Sequence, residues 1–125
     1  MTQPYDIRIA VEPKFIPEQS HPEQNRYAFS YTITIHNVGA ATVQLLSRYW
    51  RITDGNGKIE EVRGDGVVGR QPHLKPGQGF RYTSGTLLET PVGTMEGTYH
   101  MVAADGVQFD AMIPLFSLRM PHALH

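Results

Sequence analysis

The chain has 125 residues, with 11 Lys and Arg against 12 Asp and Glu, and a formal net charge of −1. That length fits one domain burying roughly two-thirds of its unfolded surface without a disulfide staple. The absence of cysteine removes disulfide scaffolds, thiol nucleophiles and thiolate metal sites and fits a reducing cytosol. Near-neutral charge argues against a nucleic-acid binder, which carries a basic excess, and twelve glycines with nine prolines leave little room for long helices.

Met1-Thr2-Gln3-Pro4-Tyr5-Asp6 has neither a basic n-region nor an apolar h-region, so no signal peptide is read there. No apolar run approaches the roughly 20 residues of a membrane span. A cytoplasmic protein without membrane association is expected. Ile7, Ile9 and Val11 alternate with Arg8 and Ala10, the period-two pattern of a half-buried strand. Pro13, Pro17 and Pro22 then predict a mobile loop, since proline donates no ladder hydrogen bond. Tyr27, Phe29, Tyr31, Ile33 and Ile35 alternate with polar residues in a second strand.

Val43 to Ile52 is ambiguous, because Leu45, Leu46, Tyr49 and Trp50 also suit one face of a helix. The following Asp54-Gly55-Asn56-Gly57 is a turn between β-type residues and favours a strand, bulged where Leu45 and Leu46 break the alternation. Lys58 to Val62 reads as a short strand, Phe80 and Tyr82 mark another, and Met95, Tyr99, Met101 and Ala103 the next. Asp105-Gly106 supplies the positive φ angles of a tight hairpin leading into Val107, Phe109, Ala111 and Ile113. Arg119 to His125 reads as a short tail.

About seven short strands without a convincing helix predict the all-β class, as an antiparallel β-sandwich spanning residues 5–118 of a single domain, 1–125. Trp50 sits where immunoglobulin-like sandwiches carry a core tryptophan. It is expected between the sheets, with Phe29, Tyr31, Ile33 and Phe109 nearby.

Gly64-Asp65-Gly66-Val67-Val68-Gly69 fits G-x-G-x-x-G. In a dinucleotide fold such glycines admit a pyrophosphate at a helix N-terminus, which requires a strand before and a helix after. Here Arg70-Gln71-Pro72 and Pro76-Gly77 follow, so the helix fails. Two readings remain. The preferred one is a tight inter-strand turn that needs φ > 0. The other is an anion-binding nest of backbone amides, with Arg63 and Arg70 adding charge. Gly64, Gly66, Gly69, Arg63 and Arg70 are therefore the candidate ligand-binding residues.

Catalytic constellations are not evident. Ser84 in Thr83-Ser84-Gly85 lacks the G-x-S-x-G elbow and reads as a strand-end or turn serine. Glu60 and Glu61, being adjacent, point to opposite faces of a strand. Asp105 and Asp110 suit turn and surface roles. His36 and His100 fall on polar phases and read as solvated. His122 and His125 in the tail offer two imidazoles, short of a built metal site, and no dense acidic loop suits Mg²⁺. Neither metal ligands nor a cofactor is expected. Arg48, Arg51, Arg63, Arg70, Lys75 and Arg81 read as solvated charges, with a phosphate-binding patch near the glycine loop as the alternative.

Leu46-Ser47-Arg48-Tyr49-Trp50, Ile52-Thr53-Asp54, the glycine motif, Gln71-Pro72, Pro76-Gly77, Tyr82-Thr83-Ser84-Gly85 and Gly97, Tyr99, Met101 occur in this order. Together they closely resemble the ApaG family of small bacterial proteins over Tyr5 to Leu118. The resemblance implies a fibronectin type III-like sandwich and a gene neighbourhood shared with a diadenosine tetraphosphate hydrolase. It also implies a link to cobalt resistance and magnesium efflux. Similar domains appended to eukaryotic F-box and polymerase-interacting proteins imply a protein-binding role, and no catalytic set is carried over. The expectation is a non-enzymatic module for a protein partner. Nucleotide or polyphosphate binding through Gly64–Gly69 is the alternative, and a metal-handling accessory role the third reading.

Overall fold

A computed structural model describes residues 2–122. Eight strands follow in chain order: β1 (Ile7–Phe15), β2 (Tyr27–Asn37), β3 (Val43–Asp54), β4 (Ile59–Asp65), β5 (His73–Leu74), β6 (Gly79–Leu88), β7 (Val92–Ala103) and β8 (Gln108–Arg119). They form two antiparallel sheets, β1-β2-β6 and β4-β3-β7-β8, with β5 paired to the start of β3. This is the expected all-β, immunoglobulin/fibronectin type III-like sandwich.

Alternation decides which side chains meet. Phe29, Tyr31, Ile33 and Ile35 from β2 face Leu45, Trp50 and Ile52 from β3 and Met95, Tyr99 and Met101 from β7, all buried. The Trp50 ring is 5.3 Å from that of Tyr31 and packs edge-on to Phe116 at 5.9 Å and Tyr99 at 6.4 Å. Phe109 is the exception among the expected neighbours. It lies only partly buried at the end of the sandwich and stacks on Tyr5 at 5.3 Å. It starts β8 beside the β7–β8 turn, too far along the strand to reach Trp50.

The helix-or-strand ambiguity of Val43–Ile52 resolves as strand. Leu45 pairs with Met101 but Ser47 with His100, so Leu46 is an extra residue in β3. A one-residue insertion inverts the in/out phase of everything after it. Leu45 and Trp50, of opposite parity, therefore both point inward, and Tyr49 is turned out.

Turn chemistry follows the sequence. Gly106 holds φ +87°, its N–H donates to Ala103 O at 2.9 Å, and Val107 N–H donates to Asp105 Oδ1 at 3.0 Å, closing the β7–β8 hairpin. Asp54 Oδ1 accepts from the N–H groups of Asn56 (2.8 Å) and Lys58 (2.9 Å) and holds the β3–β4 turn.

Three features depart from expectation. Pro13 lies within edge strand β1 opposite Tyr31, and two 3-10 turns, Pro17–Gln19 and Pro22–Gln24, occupy the rest of the predicted loop. Pro13 fits there because an edge strand has N–H groups that need no ladder partner. β8 runs through Arg119, one residue into the expected tail. Ser84 lies in mid-strand in β6 rather than at its end.

The sandwich closes unevenly. β1 lies along β8. On the opposite side, β6 and β4 are separated by a gap of about 220 Å³ with Tyr31, Trp50 and Ile52 at its floor and Val62, Ser84 and Thr86 on its walls.

Candidate binding site

Outward-facing residues of the larger sheet build the site. Cross-strand registers place Arg63, Tyr49, Thr98 and Met112 in one row across β4, β3, β7 and β8, and Asp65, Ser47, His100 and Asp110 in the next. The Leu46 bulge produces this alignment, since without it Tyr49 and Trp50 would exchange faces. A cleft of about 420 Å³, open to solvent, lies over the rows, with Arg48 and Gly64 completing its lining.

Two side-chain clusters fix the cleft walls. Tyr49 donates its phenol proton to Glu61 Oε2 at 2.6 Å, while the Arg63 guanidinium sits 4.3 Å above the ring and 3.6 Å from the same carboxylate. The bond to Glu61 raises the Tyr49 pKa above its ordinary value. On the other wall, His100 Nδ1 lies 2.8 Å from Asp110 Oδ1 and Nε2 lies 2.8 Å from Gln108 Oε1. The Asp110 carboxylate favours the protonated ring, and the His100 pKa is raised, first by the bond to Asp110 and then by that to Gln108. On the strand's far side, buried Tyr99 and Tyr82 share a hydroxyl–hydroxyl bond, and burial pushes Tyr82 up to about 12 and Tyr99 higher.

The glycine motif forms the rim. Gly64 and Asp65 end β4, and Val67 to Arg70 is a two-residue hairpin closed by Val67 N–H to Arg70 O (2.8 Å) and Arg70 N–H to Val67 O (2.9 Å). Its central residues both hold positive φ, +43° at Val68 and +78° at Gly69. Gly66 holds φ +61° and donates to Leu46 O at 2.8 Å, and a Cβ on it would stand 2.2 Å from Arg70 O. Arg48 Nη1 donates to Asp65 O (3.0 Å) and Gly66 O (2.9 Å), filling the space a Gly64 Cβ would take. The loop amides of Gly66, Val67 and Arg70 thus donate to carbonyls of this chain, and Val67 is wholly buried.

Of the five candidate residues, Arg63 and Gly64 line the cleft, while Gly66 leads into the hairpin beyond it and Gly69 and Arg70 belong to that hairpin. β5, not a helix, follows the motif. The other cations scatter. Arg81 lies on the opposite sheet, 3.7 Å from Glu12, and Lys75 lies in the β5–β6 turn. His125 is outside the described residues, and among the described residues no three His, Asp or Glu side chains converge as metal ligands. No helix among them is long and apolar enough to cross a membrane.

Sequence reasoning placed Tyr49 and Thr98 in no site and assigned His100 and Asp110 to solvated surface, whereas the structure brings all four to one cleft. Their signal was the outward phase of β3, β7 and β8, whose alignment is legible only with the bulge assigned to Leu46.

The ApaG domain model matches residues 17–103. The chain belongs to the ApaG family. Curated ApaG proteins of Dechloromonas aromatica and Azotobacter vinelandii are each 59% identical, over 99% and 97% of this chain and 98% and 96% of their own lengths. A Bordetella pertussis protein solved by crystallography under the name ApaA is 50% identical, covers 98% of this chain and all of its own, and superposes with a TM-score of 0.95. Strands β3, β4 and β7 of the cleft fall within the ApaG match, and β8 lies beyond it.

Proposed function

We propose that this ApaG-family protein is a non-enzymatic binding module that docks a protein partner on the outer face of the β4-β3-β7-β8 sheet. One observation carries the reading: Tyr49, locked between Arg63 and Glu61, shares a row with Met112, which is 71% exposed. Tyr, Arg and Met are the residue types enriched at interface centres, and an aromatic held in place before binding loses little entropy on docking. A cytoplasmic site of action and a link to cobalt resistance or magnesium efflux through the partner belong to this proposal.

The test is affinity capture from cells that make the protein, comparing wild type with Tyr49→Ala. A stoichiometric partner retained by the wild type and lost by a folded variant supports the module. Equal capture by both overturns this face as the site. The second reading, nucleotide or polyphosphate binding at Gly64–Gly69, draws on Arg63, Gly64 and His100, whose pKa is raised, lining one cleft. It requires saturable micromolar binding of ATP or diadenosine tetraphosphate that Arg63→Ala weakens.

A further inference from the structure

The four edge strands are not equally guarded. An edge strand presents unpaired backbone groups, and proteins blunt it with charges, prolines or bulges. β1 carries Arg8, Glu12, Pro13 and Lys14, and β4 carries Glu60, Glu61, Arg63 and Asp65. β8 carries Pro114 and a register shift at the same place, where Met95 pairs with Phe116 but Gly97 with Ile113. β6 carries a single charge, Arg81, which lies 3.7 Å from Glu12, and from there Tyr82-Thr83-Ser84-Gly85-Thr86-Leu87-Leu88 has no charge, no proline and no register shift against β2.

The ladder shows which of its groups are free. Asn37 N–H donates to Gln78 O, and Ile16 N–H donates to Ala28 O, so odd-numbered residues of β2 bond toward β6 and even-numbered ones toward β1. On β6 this leaves the N–H and C=O of Arg81, Thr83, Gly85 and Leu87 turned to the open edge. Among the described residues β6 has β2 as its sole strand neighbour, and no turn or loop backbone group bonds these positions. Leu87, the last of the four, is 61% exposed. The same edge borders the gap to β4, where Val62 is exposed above buried Trp50 and Ile52, and Glu60 stands at the rim without an ion-pair partner among the described residues.

We propose that the β6 edge takes up an extended peptide segment of a partner protein as an added strand, a proposal that rests on the protein-binding reading but names a different surface. A strand bonded to Arg81, Thr83, Gly85 and Leu87 continues the β1-β2-β6 sheet. Its inward phase then lies over the gap, where apolar side chains cover Val62, Trp50 and Ile52 between Arg48 and Glu60, which also line it. Its outward phase runs beside Thr83 and Leu87. A Lys or Arg at one inward position would meet Glu60. This is β-augmentation, in which main-chain bonds supply affinity and alternate side chains supply specificity.

The experiment uses a phage-displayed random dodecapeptide library, selected on the full chain, and synthetic copies of the enriched peptides. Amide hydrogen exchange is read residue by residue by NMR. In the free protein the amides of Arg81, Thr83, Gly85 and Leu87 exchange fast while those of Tyr82, Ser84 and Thr86 are slow. Bound peptide slows the four edge amides at least tenfold. Thr83→Pro removes an edge N–H without touching the β2 ladder and weakens binding at least tenfold. Leu87→Lys does the same by charge if the proline variant fails to fold. Peptides that bind but protect amides around Tyr49 and Thr98 leave the module reading standing and overturn this site. Failure to enrich any peptide overturns it too. Concentration-dependent protection of the four amides without peptide assigns the edge to a second copy of the chain and overturns it as well.

Discussion

Replacing the three motif glycines one at a time separates backbone geometry from ligand chemistry. At Gly69 an added Cβ meets open space, so Gly69→Ala carries only the left-handed backbone cost, about 1–2 kcal/mol. At Gly66 the same cost applies, and the Cβ would also stand 2.2 Å from Arg70 O. Relief of that overlap costs about 1–3 kcal/mol. It also moves the carbonyl that satisfies Val67 N–H, beside a side chain with no exposure, and an orphaned buried donor costs a further ~1–3 kcal/mol. Gly66→Ala is therefore expected to lose about 3 kcal/mol or more, summing the lower ends of these ranges. Gly64 has no positive φ, and its Cβ would displace the Arg48 guanidinium from 2.8 Å. The loss is then Arg48's hydrogen bonds to two carbonyls, about 1.5–3 kcal/mol for bonds from a charged donor. Urea unfolding of the three alanine variants measures the series. A Gly66 variant no less stable than the Gly69 variant would refute the reasoning.

Three further outcomes are expected. Trp50→Ala should cost about 3–5 kcal/mol in denaturant unfolding, the range for large aromatic truncations, because Trp50 packs against three rings between the sheets. Val68→Asn should stabilise the protein by about 1 kcal/mol in thermal melts, because a β-branched residue at φ +43° is strained and Asn-Gly is the favoured pair in such a hairpin. The raised His100 pKa means its contribution to stability is complete below its ordinary value of 6.5 and is lost as pH rises through the folded value. An NMR titration should place His100 above 6.5 in the wild type and lower in Asp110→Asn, and an unchanged midpoint would remove Asp110 as the cause.

The fold was legible because strand alternation is a local signal. β2 reads directly from Tyr27 to Ile35, and Asp105-Gly106 and Asp54-Gly55 mark their turns without tertiary information. The site was less legible for a geometric reason. Its residues come from four strands whose registers depend on one extra residue, Leu46, and nothing local distinguishes a bulge at Leu45 from one at Leu46. The glycine motif stood out as a pattern, yet its geometry depends on Arg48, far upstream, and on a two-residue hairpin with a valine in the left-handed region. His100 looked solvated because its partners Gln108 and Asp110 sit across a hairpin. Pro13 looked like a loop residue because the sequence does not say that β1 is an edge.

The central claim, docking of a protein on the outer sheet face, is tested most directly by site-specific photocrosslinking in cells. Benzoylphenylalanine at Met112, in the Tyr49 row, is compared with the same group at Ala10, exposed on the opposite sheet. The account predicts one discrete protein crosslink at Met112, absent at Ala10 and abolished by Tyr49→Ala. No crosslink at Met112, or equal crosslinking at both positions, would contradict it.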